Sequence, residues 1–445
     1  MPPPPRPRIS RRAPEAAAWA AGLGLVAAVA LPLAQVNGRS LRAPGGAATL
    51  AGDLTAMAGT YLLLIMVLLA ARIPGLENAL GQDRLIRWHR LLSSAPLVLL
   101  GAHVVFTTLG YAQSAHQGLW AESVSLTTTM KWIFASVVAY AMFVVIAGLS
   151  IRVARRRFSY DSWWIIHLYT YLALAFSVPH QIFDGTNFAG RPVVQGAWLV
   201  LWLGTAGVVV VYRVGLPIYR SVRHQLRVVE VQKEAPGVYS IVVRGRRLDR
   251  LAVAGGQFFR WHFLTRGLWW HAHPFSLSAM PVPPYMRVTV KVSGDSTARI
   301  AWLRPGTRIA VEGPYGAFTE ASRQRRKVAL IGAGIGITPV RALLEDLPEG
   351  VDAVVVQRAS TGDELVHNGE IRSLVKQRGG RLVELVGPRA AHRLSDPRRL
   401  HRTIPDLATR DLYICGPESF AAGVVAAAER LGLPAAAIHR ESFEF

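Results

Sequence analysis

Cysteine is all but missing from this chain: there is one in 445 residues. A lone cysteine excludes a disulfide framework, a Cys-ligated iron–sulfur cluster and a Cys-rich zinc module. Acidic residues are also few, 28 against 50 Lys and Arg, so the formal net charge is +22. Charged residues amount to only 18%, which together with twelve Trp excludes a disordered chain. So basic a balance ordinarily points to nucleic acid. Here hydrophobic residues reach 51%, which puts a lipid bilayer first, and the placement of the charge must decide. At roughly 100–200 residues per domain the length allows two to four domains.

The pattern changes at about residue 213. Before it, long apolar runs alternate with short polar loops, at 16–36, 54–71, 88–109, 126–150, 163–182 and 192–212. Each reaches or approaches the ~20 residues that cross a bilayer, so six spans are expected. The first run follows a basic, Pro-rich start, but it is too long for a signal peptide's apolar core and no A-x-A site follows, so it reads as a span. With the N-terminus inside, the inner segments hold Arg6, Arg8, Arg11, Arg12, Arg72, Arg84, Arg87, Arg90, Arg152, Arg155, Arg156 and Arg157. The outer loops hold Arg39, Arg42 and Arg191, with Lys131 near an outer helix end. This is a strong positive-inside bias. The arginines therefore read as topology signals and anionic-lipid contacts, not as a nucleic-acid site. Both termini are then cytoplasmic.

Four histidines stand at membrane depth, where ionisable groups are costly and usually functional. His89 and His103 lie 14 apart on the third expected span, about four helical turns or roughly 21 Å. His167 and His180 lie 13 apart on the fifth, and Pro179 can correct the phase by breaking the winding. Both spans run outward, so His89 shares a depth with His167, and His103 with His180. Two imidazoles at each of two depths suit two stacked b haems with bis-His ligation. A proton relay does not explain the spacing. His116 reads as a solvated loop residue.

From residue 226 to about 318, alternating runs at 226–231, 238–243 and 286–292 are punctuated by Gly and Pro, as in a small antiparallel β-barrel. Gly255-Gly256-Gln257-Phe258 ends one strand, and His273-Pro274-Phe275-Ser276-Leu277-Ser278 follows. Phe275 and Ser276 can offer a flat apolar and hydrogen-bonding surface to a flavin ring. The turn Gly294-Asp295-Ser296-Thr297 can offer backbone N–H groups to a pyrophosphate. Glu312-Gly313-Pro314-Tyr315-Gly316 closes the segment.

Next, Lys327-Val328-Ala329-Leu330-Ile331 is a buried-strand pattern. It runs into Gly332-Ala333-Gly334-Ile335-Gly336-Ile337-Thr338-Pro339 and a helix at 340–345. Strand, glycine turn and helix make a phosphate cradle. The strand at 353–357 ends in Arg358-Ala359-Ser360, without an acid to hold a free ribose 2′-hydroxyl. Arg358 and Ser360 can instead hold a 2′-phosphate, which favours NADPH over NADH, although a solvated surface Arg fits the same pattern. The strand at 412–414 leads to Cys415-Gly416-Pro417, and the chain ends Glu441-Ser442-Phe443-Glu444-Phe445.

Taken together, these residues resemble the ferric reductase / NADPH oxidase superfamily. The four-His spacing, His-Pro-Phe-Ser, Gly-x-Gly-Ile-Gly-x-Thr-Pro, Cys-Gly-Pro and the Phe-Glu-Phe terminus stand in that family's order. The resemblance implies a multi-domain membrane protein. A tail at 1–15 precedes a six-helix transmembrane haem bundle at 16–215, an FAD-binding β-barrel at 222–320 and an α/β Rossmann-like nucleotide domain at 324–445. It implies that His273, Pro274, Phe275, Ser276 and Ser278 with Gly294, Asp295, Ser296 and Thr297 bind FAD. It implies that Gly332, Gly334, Gly336, Thr338 and Pro339 with Cys415, Gly416 and Pro417 bind the nicotinamide nucleotide. Cys415 is expected at the reaction centre, and Phe445 is expected to cover the flavin ring where nicotinamide docks. His89, His103, His167 and His180 would be the haem-iron ligands. No EF-hand loop and no appended Cys cluster are present, as in compact bacterial members.

The activity implied is electron transfer from cytoplasmic NAD(P)H through FAD and two b haems to a ferric chelate or dioxygen outside the plasma (inner) membrane. The alternative is a subunit that hands electrons to a partner protein, which would need a docking surface on short, undistinguished outer loops. A transporter should show broken helices or repeats, and none is evident.

Overall fold

The computed structural model describes residues 13–151, 160–188, 190–388 and 390–441. It divides into two units, one of residues up to 73 with 83–212, the other of 213–445 together with the segment 74–82.

Among the described residues, five helices are long and apolar enough to cross a membrane: Pro14–Leu33, Gly46–Ala70, Arg84–Ala115, Ile133–Ser150 and Pro192–His224. Six spans were expected, and the difference falls on the fifth run. There the helix Tyr160–Pro179 is 20 residues long, but its Tyr, Trp, Ser and His residues dilute the apolar ones. The fourth run is also divided. A helix Leu119–Thr129 ends before Ile133–Ser150 begins, and Met130 is extended. Three threonines prepare that stop. The Oγ1 atoms of Thr127, Thr128 and Thr129 donate to the carbonyls of Ser123, Val124 and Ser125 at 2.8, 2.8 and 2.7 Å. Such back-bonding weakens and bends a helix.

Helices Gly46–Ala70 and Ser94–Ala115 approach closely because small residues face each other. A Cβ on Gly52 would lie 2.5 Å from Thr107 Oγ1 and 3.0 Å from its backbone N. Pro179 ends the Tyr160–Pro179 helix, and a π-helical turn, His180–Asp184, takes over. The expected break in winding before His180 is therefore present.

In the second unit the flavin segment is built from β1 (Arg227–Ala235), β2 (Val238–Arg244), β3 (Phe258–Phe263), β4 (His273–Ser276), β5 (Tyr285–Lys291) and β6 (Ile309–Tyr315). The expected barrel is here two three-stranded antiparallel sheets, β1-β2-β5 and β4-β3-β6. The bridges Leu277–Val288 and Arg227–Arg308 connect them, with backbone hydrogen bonds such as Val228 N–H to the Thr307 carbonyl at 2.9 Å and Ser278 N–H to the Arg287 carbonyl at 3.1 Å. Alternate residues of both sheets, among them Ile241, Phe259, Trp261 and Val288, fill one apolar core. The helix Pro74–Leu80 packs on β6.

The nucleotide segment is a parallel sheet of β7 (Lys327–Ala333), β8 (Asp352–Ala359), β9 (Arg381–Val386), β10 (Arg410–Cys415) and β11 (Ile438–Glu441). Its order is β11-β10-β7-β8-β9, and every pair is parallel. The direction of winding reverses between β7 and β10, and ligands of open α/β sheets bind at the carboxyl ends of such a pair. Apolar residues cover the sheet on both faces, which is why its strands read as unbroken hydrophobic runs.

Candidate functional site

The membrane unit brings His89 and His167, one of the expected pairs, together. The ring centres of His89 and His167 are 6.3 Å apart, with planes at 69°. A metal about 2 Å from one nitrogen of each ring would place two facing imidazole centres roughly 6 Å apart. The Nδ1–H of His89 donates to the Met66 carbonyl and that of His103 to the Gly52 carbonyl, both at 3.0 Å. This fixes the tautomer and leaves each Nε2 lone pair available, the usual second contact of a metal-binding imidazole. Trp163 stacks on His167 with centres 5.1 Å apart. Among the described residues, the Nδ1 atoms of His167 and His180 are buried without a hydrogen-bond partner. Such rings need another anchor, since an unmet buried polar group is costly. His89 and His167 thus fit one bis-His haem site. His116 ends the Ser94–Ala115 helix in left-handed backbone and is exposed.

In the flavin segment, β3 holds β4 in place: Trp261 pairs with His273, and its Nε1 donates to the Phe275 carbonyl at 3.0 Å. His273 stacks on Phe275 with planes only 5° apart, beside Pro274. Ser276 Oγ is buried with no protein partner among the described residues, so it can serve a ligand. Ser278 Oγ accepts from Arg287 Nε at 3.2 Å. The helix after Gly294, Asp295–Ile300, is only six residues long. Thr297 Oγ1 accepts from the N–H groups of Ser293 and Gly294 at 2.8 and 3.0 Å, so those two amides already close the turn. Asp295 is exposed and Ser296 half-buried.

Sequence reasoning did not single out the acid–base cluster of the second sheet. Arg260 Nη1 and His262 Nε2 donate to Glu312 at 2.7 and 3.1 Å. Burial raises the Glu312 pKa, but the His262 hydrogen bond and the charges of Arg260, His262 and Arg213 outweigh it and bring it from 4.5 to about 2. A depressed carboxyl stabilises the fold above its ordinary pKa, and that contribution is lost as pH falls through the folded value. Glu312→Gln is therefore expected to lower Tm at pH 7 by an amount worth at most about 3 kcal/mol. The gap should close as pH falls from 4.5 to about 2, and melting curves of both proteins across that range check it.

In the nucleotide segment the glycine loop and the Cys-Gly-Pro turn, far apart in sequence, meet at the switch between β7 and β10. A Cβ on Gly336 would lie 2.4 Å from the Cys415 carbonyl oxygen and 2.7 Å from Gly416 N. The loop passes from Ala333 through Gly334–Gly336 into the helix Ile337–Asp346, with Thr338 and Pro339 in its first turn. The Cys415 side chain is fully buried. Burial, then the Glu441 charge, pushes its thiol pKa well up, so it remains a thiol. What Cys415 and Gly416 present to the loop is backbone, with Pro417 capping the helix Glu418–Arg430. Arg358 is buried at the end of β8, and its Nη2 donates to the Gly387 carbonyl at 2.7 Å. Ser360 is exposed, and its N–H donates to Glu364 at 3.1 Å. That acid stands four residues past the position searched in the sequence. Phe445, with residues 442–444, lies outside the described residues.

Residues 55–178 match the family "Ferric reductase like transmembrane component", and residues 228–319 match an FAD-binding domain family. The chain is 29% identical over 202 residues to an NADPH oxidoreductase of Mycobacterium tuberculosis, covering 42% of this chain and 51% of that protein. It is 27% identical over 166 residues to NADPH oxidase 1 of Mus musculus, covering 36% and 27%. It spans about half the length of the first of these relatives and less of the second. The FAD/NAD-binding domain of a nitric oxide dioxygenase from Vibrio cholerae aligns with 49% of this chain and 98% of its own length, at 25% identity and a TM-score of 0.42. A ferric-reductase-like membrane component followed by an FAD-binding domain is the domain order of the ferric reductase / NADPH oxidase superfamily, which this chain resembles over both matched segments.

Proposed function

We propose that this protein is a transmembrane NAD(P)H-dependent oxidoreductase. Electrons would pass from cytoplasmic NAD(P)H, through FAD and two b haems, to a ferric chelate or dioxygen at the outer face. The observation that carries this reading is the pairing of His89 with His167, one ring tautomer fixed by the Met66 carbonyl, in a chain that also holds a nucleotide crevice. FAD would supply the conversion from a two-electron donor to single electrons, and the haems the path across the bilayer.

The chain's own residues bind, orient and shield. His89 with His167 and His103 with His180 would hold the haem irons. The stacked His273 and Phe275 offer a flat surface, and Ser276 Oγ an open hydrogen-bonding position, for the flavin. Gly332, Gly334 and Gly336 bring backbone close to the nucleotide phosphates, with the Ile337–Asp346 helix behind them. The arginine asymmetry of the loops supports a cytoplasmic nucleotide half and six spans, Tyr160–Pro179 being the sixth. The test is anaerobic reduction of the purified protein by NADPH while the haem bands are recorded, followed by ferric chelate and oxygen in separate samples. Whichever restores the oxidised spectrum is the acceptor, and haem bands that never respond to NADPH would refute the reading.

Nucleotide choice rests on Arg358. Arg358→Ala should raise KM for NADPH roughly tenfold to a hundredfold and leave NADH little changed, since a hydrogen bond to a charged group is worth ~1.5–3 kcal/mol. Equal changes for both nucleotides would mean that Arg358 only braces the ends of β8 and β9 through Gly387.

A further inference from the structure

The flavin and nucleotide segments are joined by a polar network that the readings above leave unused. Its centre is Glu370, on the helix Asn368–Gln377 of the nucleotide segment. Arg287, on β5 of the flavin segment, grips this carboxylate with both fork nitrogens at 2.8 Å. The same guanidinium reaches Ser278: Nε donates to its Oγ at 3.2 Å and Nη2 to its carbonyl at 3.4 Å. Ser278 stands two residues beyond the open Ser276 hydroxyl. From the other side, Arg341 Nε donates to Glu370 Oε2 at 2.7 Å. Arg341 is buried on the helix that begins at the end of the glycine loop. Its Nη1 also bonds Glu345, whose Oε2 accepts from Met280 N–H at 2.7 Å. A second strut runs beside this one, with His367 Nε2 2.9 Å from Thr289 Oγ1, which is 2.8 Å from Ser240 Oγ.

We infer that Glu370 is a positioning residue, which locks the glycine-loop helix to the flavin-side 276–280 stretch through Arg341 and Arg287. The inference rests on the flavoprotein reading above. Two arginines on one carboxylate determine direction as well as distance, because charge-assisted, forked hydrogen bonds are both strong and planar. One arm ends on the segment that would carry the flavin ring, the other on the segment that would carry the nucleotide phosphates. The network therefore sets how the two ligands face each other. A displacement of about 1 Å between reacting groups can cost on the order of a hundredfold in rate.

The test compares Glu370→Gln, Glu370→Asp and Arg287→Lys in the full chain. Spin labels at Asp249→Cys and Lys376→Cys, both exposed positions, report the distance between the segments. The only native cysteine is buried and does not compete for label. In the wild type one narrow distance distribution is expected. In Glu370→Gln and Arg287→Lys it should broaden, and in Glu370→Asp it should broaden less. FAD and haem content should stay at wild-type levels and NADP+ affinity within about threefold. Flavin reduction by NADPH should slow roughly tenfold to a hundredfold in Glu370→Gln, with a changed isotope effect from 4-deuterated NADPH. An unchanged distance distribution in both Glu370→Gln and Arg287→Lys would overturn the inference, whatever the redox result. A broadened distribution with unchanged reduction rate and isotope effect would overturn it too, leaving only a structural tie. A wild type whose flavin NADPH does not reduce would instead refute the functional reading, and the distance measurement would still decide whether Glu370 is the lock.

Discussion

Replacing His103 or His180 by Ala should each remove one haem and bring haem per protein to about half, with the other haem largely retained. His89→Ala and His167→Ala should do the same to the other one. The expectation follows from pairing: each iron would need both of its rings; the structure puts His89 beside His167, and the spacing along the chain assigns His103 and His180 to the other depth. Loss of either ring leaves an open coordination position and a buried partner without its anchor. The haem spectrum of membranes from each variant gives the answer. Unchanged haem in any of the four would remove that residue from the ligand set. A related change tests the support. Gly52→Val would push side-chain atoms into Thr107, 2.5 Å from the new Cβ, and disturb the carbonyl that holds His103. It should mimic the loss of His103 without touching any ligand, since outer partners of a metal-bound imidazole commonly matter ten- to a hundredfold.

Gly336→Ala should abolish productive nucleotide binding, with an affinity loss of about a hundredfold or more, and leave FAD and haem in place. The added methyl would fall 2.4 Å from the Cys415 carbonyl oxygen and 2.5 Å from its carbon. Both are backbone atoms of β10, in the middle of a buried sheet, so the loop must move instead. Overpacking of this kind costs ~1–3 kcal/mol in stability, and about 1 Å of loop displacement is enough to misplace the nucleotide. Gly334 is the contrast. A Cβ there meets nothing within 4 Å, but its φ is +56°, a region that Asn tolerates. Gly334→Asn should therefore bind nucleotide far better than Gly336→Ala. Titrating NADP+ against the flavin absorbance of all three proteins checks this, and wild-type affinity in Gly336→Ala would show that the loop does not hold the nucleotide.

Much of this protein was legible in its sequence because much of it is local. Apolar run length marked five of the membrane helices. Period-two alternation marked β1, β2 and β5, and unbroken apolar runs marked β7 and β8, whereas Gly255-Gly256-Gln257-Phe258, expected to end a strand, leads into β3. The spacing of His89, His103, His167 and His180 could be read along the chain, and the structure brings His89 and His167 together. Two differences from expectation are also local in cause. Length alone read 126–150 as one run, where threonine back-bonding ends the helix Leu119–Thr129 before Ile133–Ser150 begins. Alternation cannot tell a closed barrel from two sheets joined by bridges.

What the chain order could not reveal is which distant surfaces meet. The Met66 and Gly52 carbonyls that orient His89 and His103 stand 23 and 51 residues away. Nothing in a Gly or Met marks its carbonyl as a partner. Gly336 is a spacing requirement only because β10 lies beside β7, which the sheet order decides. Glu370 looks like any surface acid of a short helix until Arg287 and Arg341 arrive from 83 and 29 residues away. Periodicity is written residue by residue and can be read that way. Contacts between elements exist only once the elements have packed, so tertiary structure alone decides them.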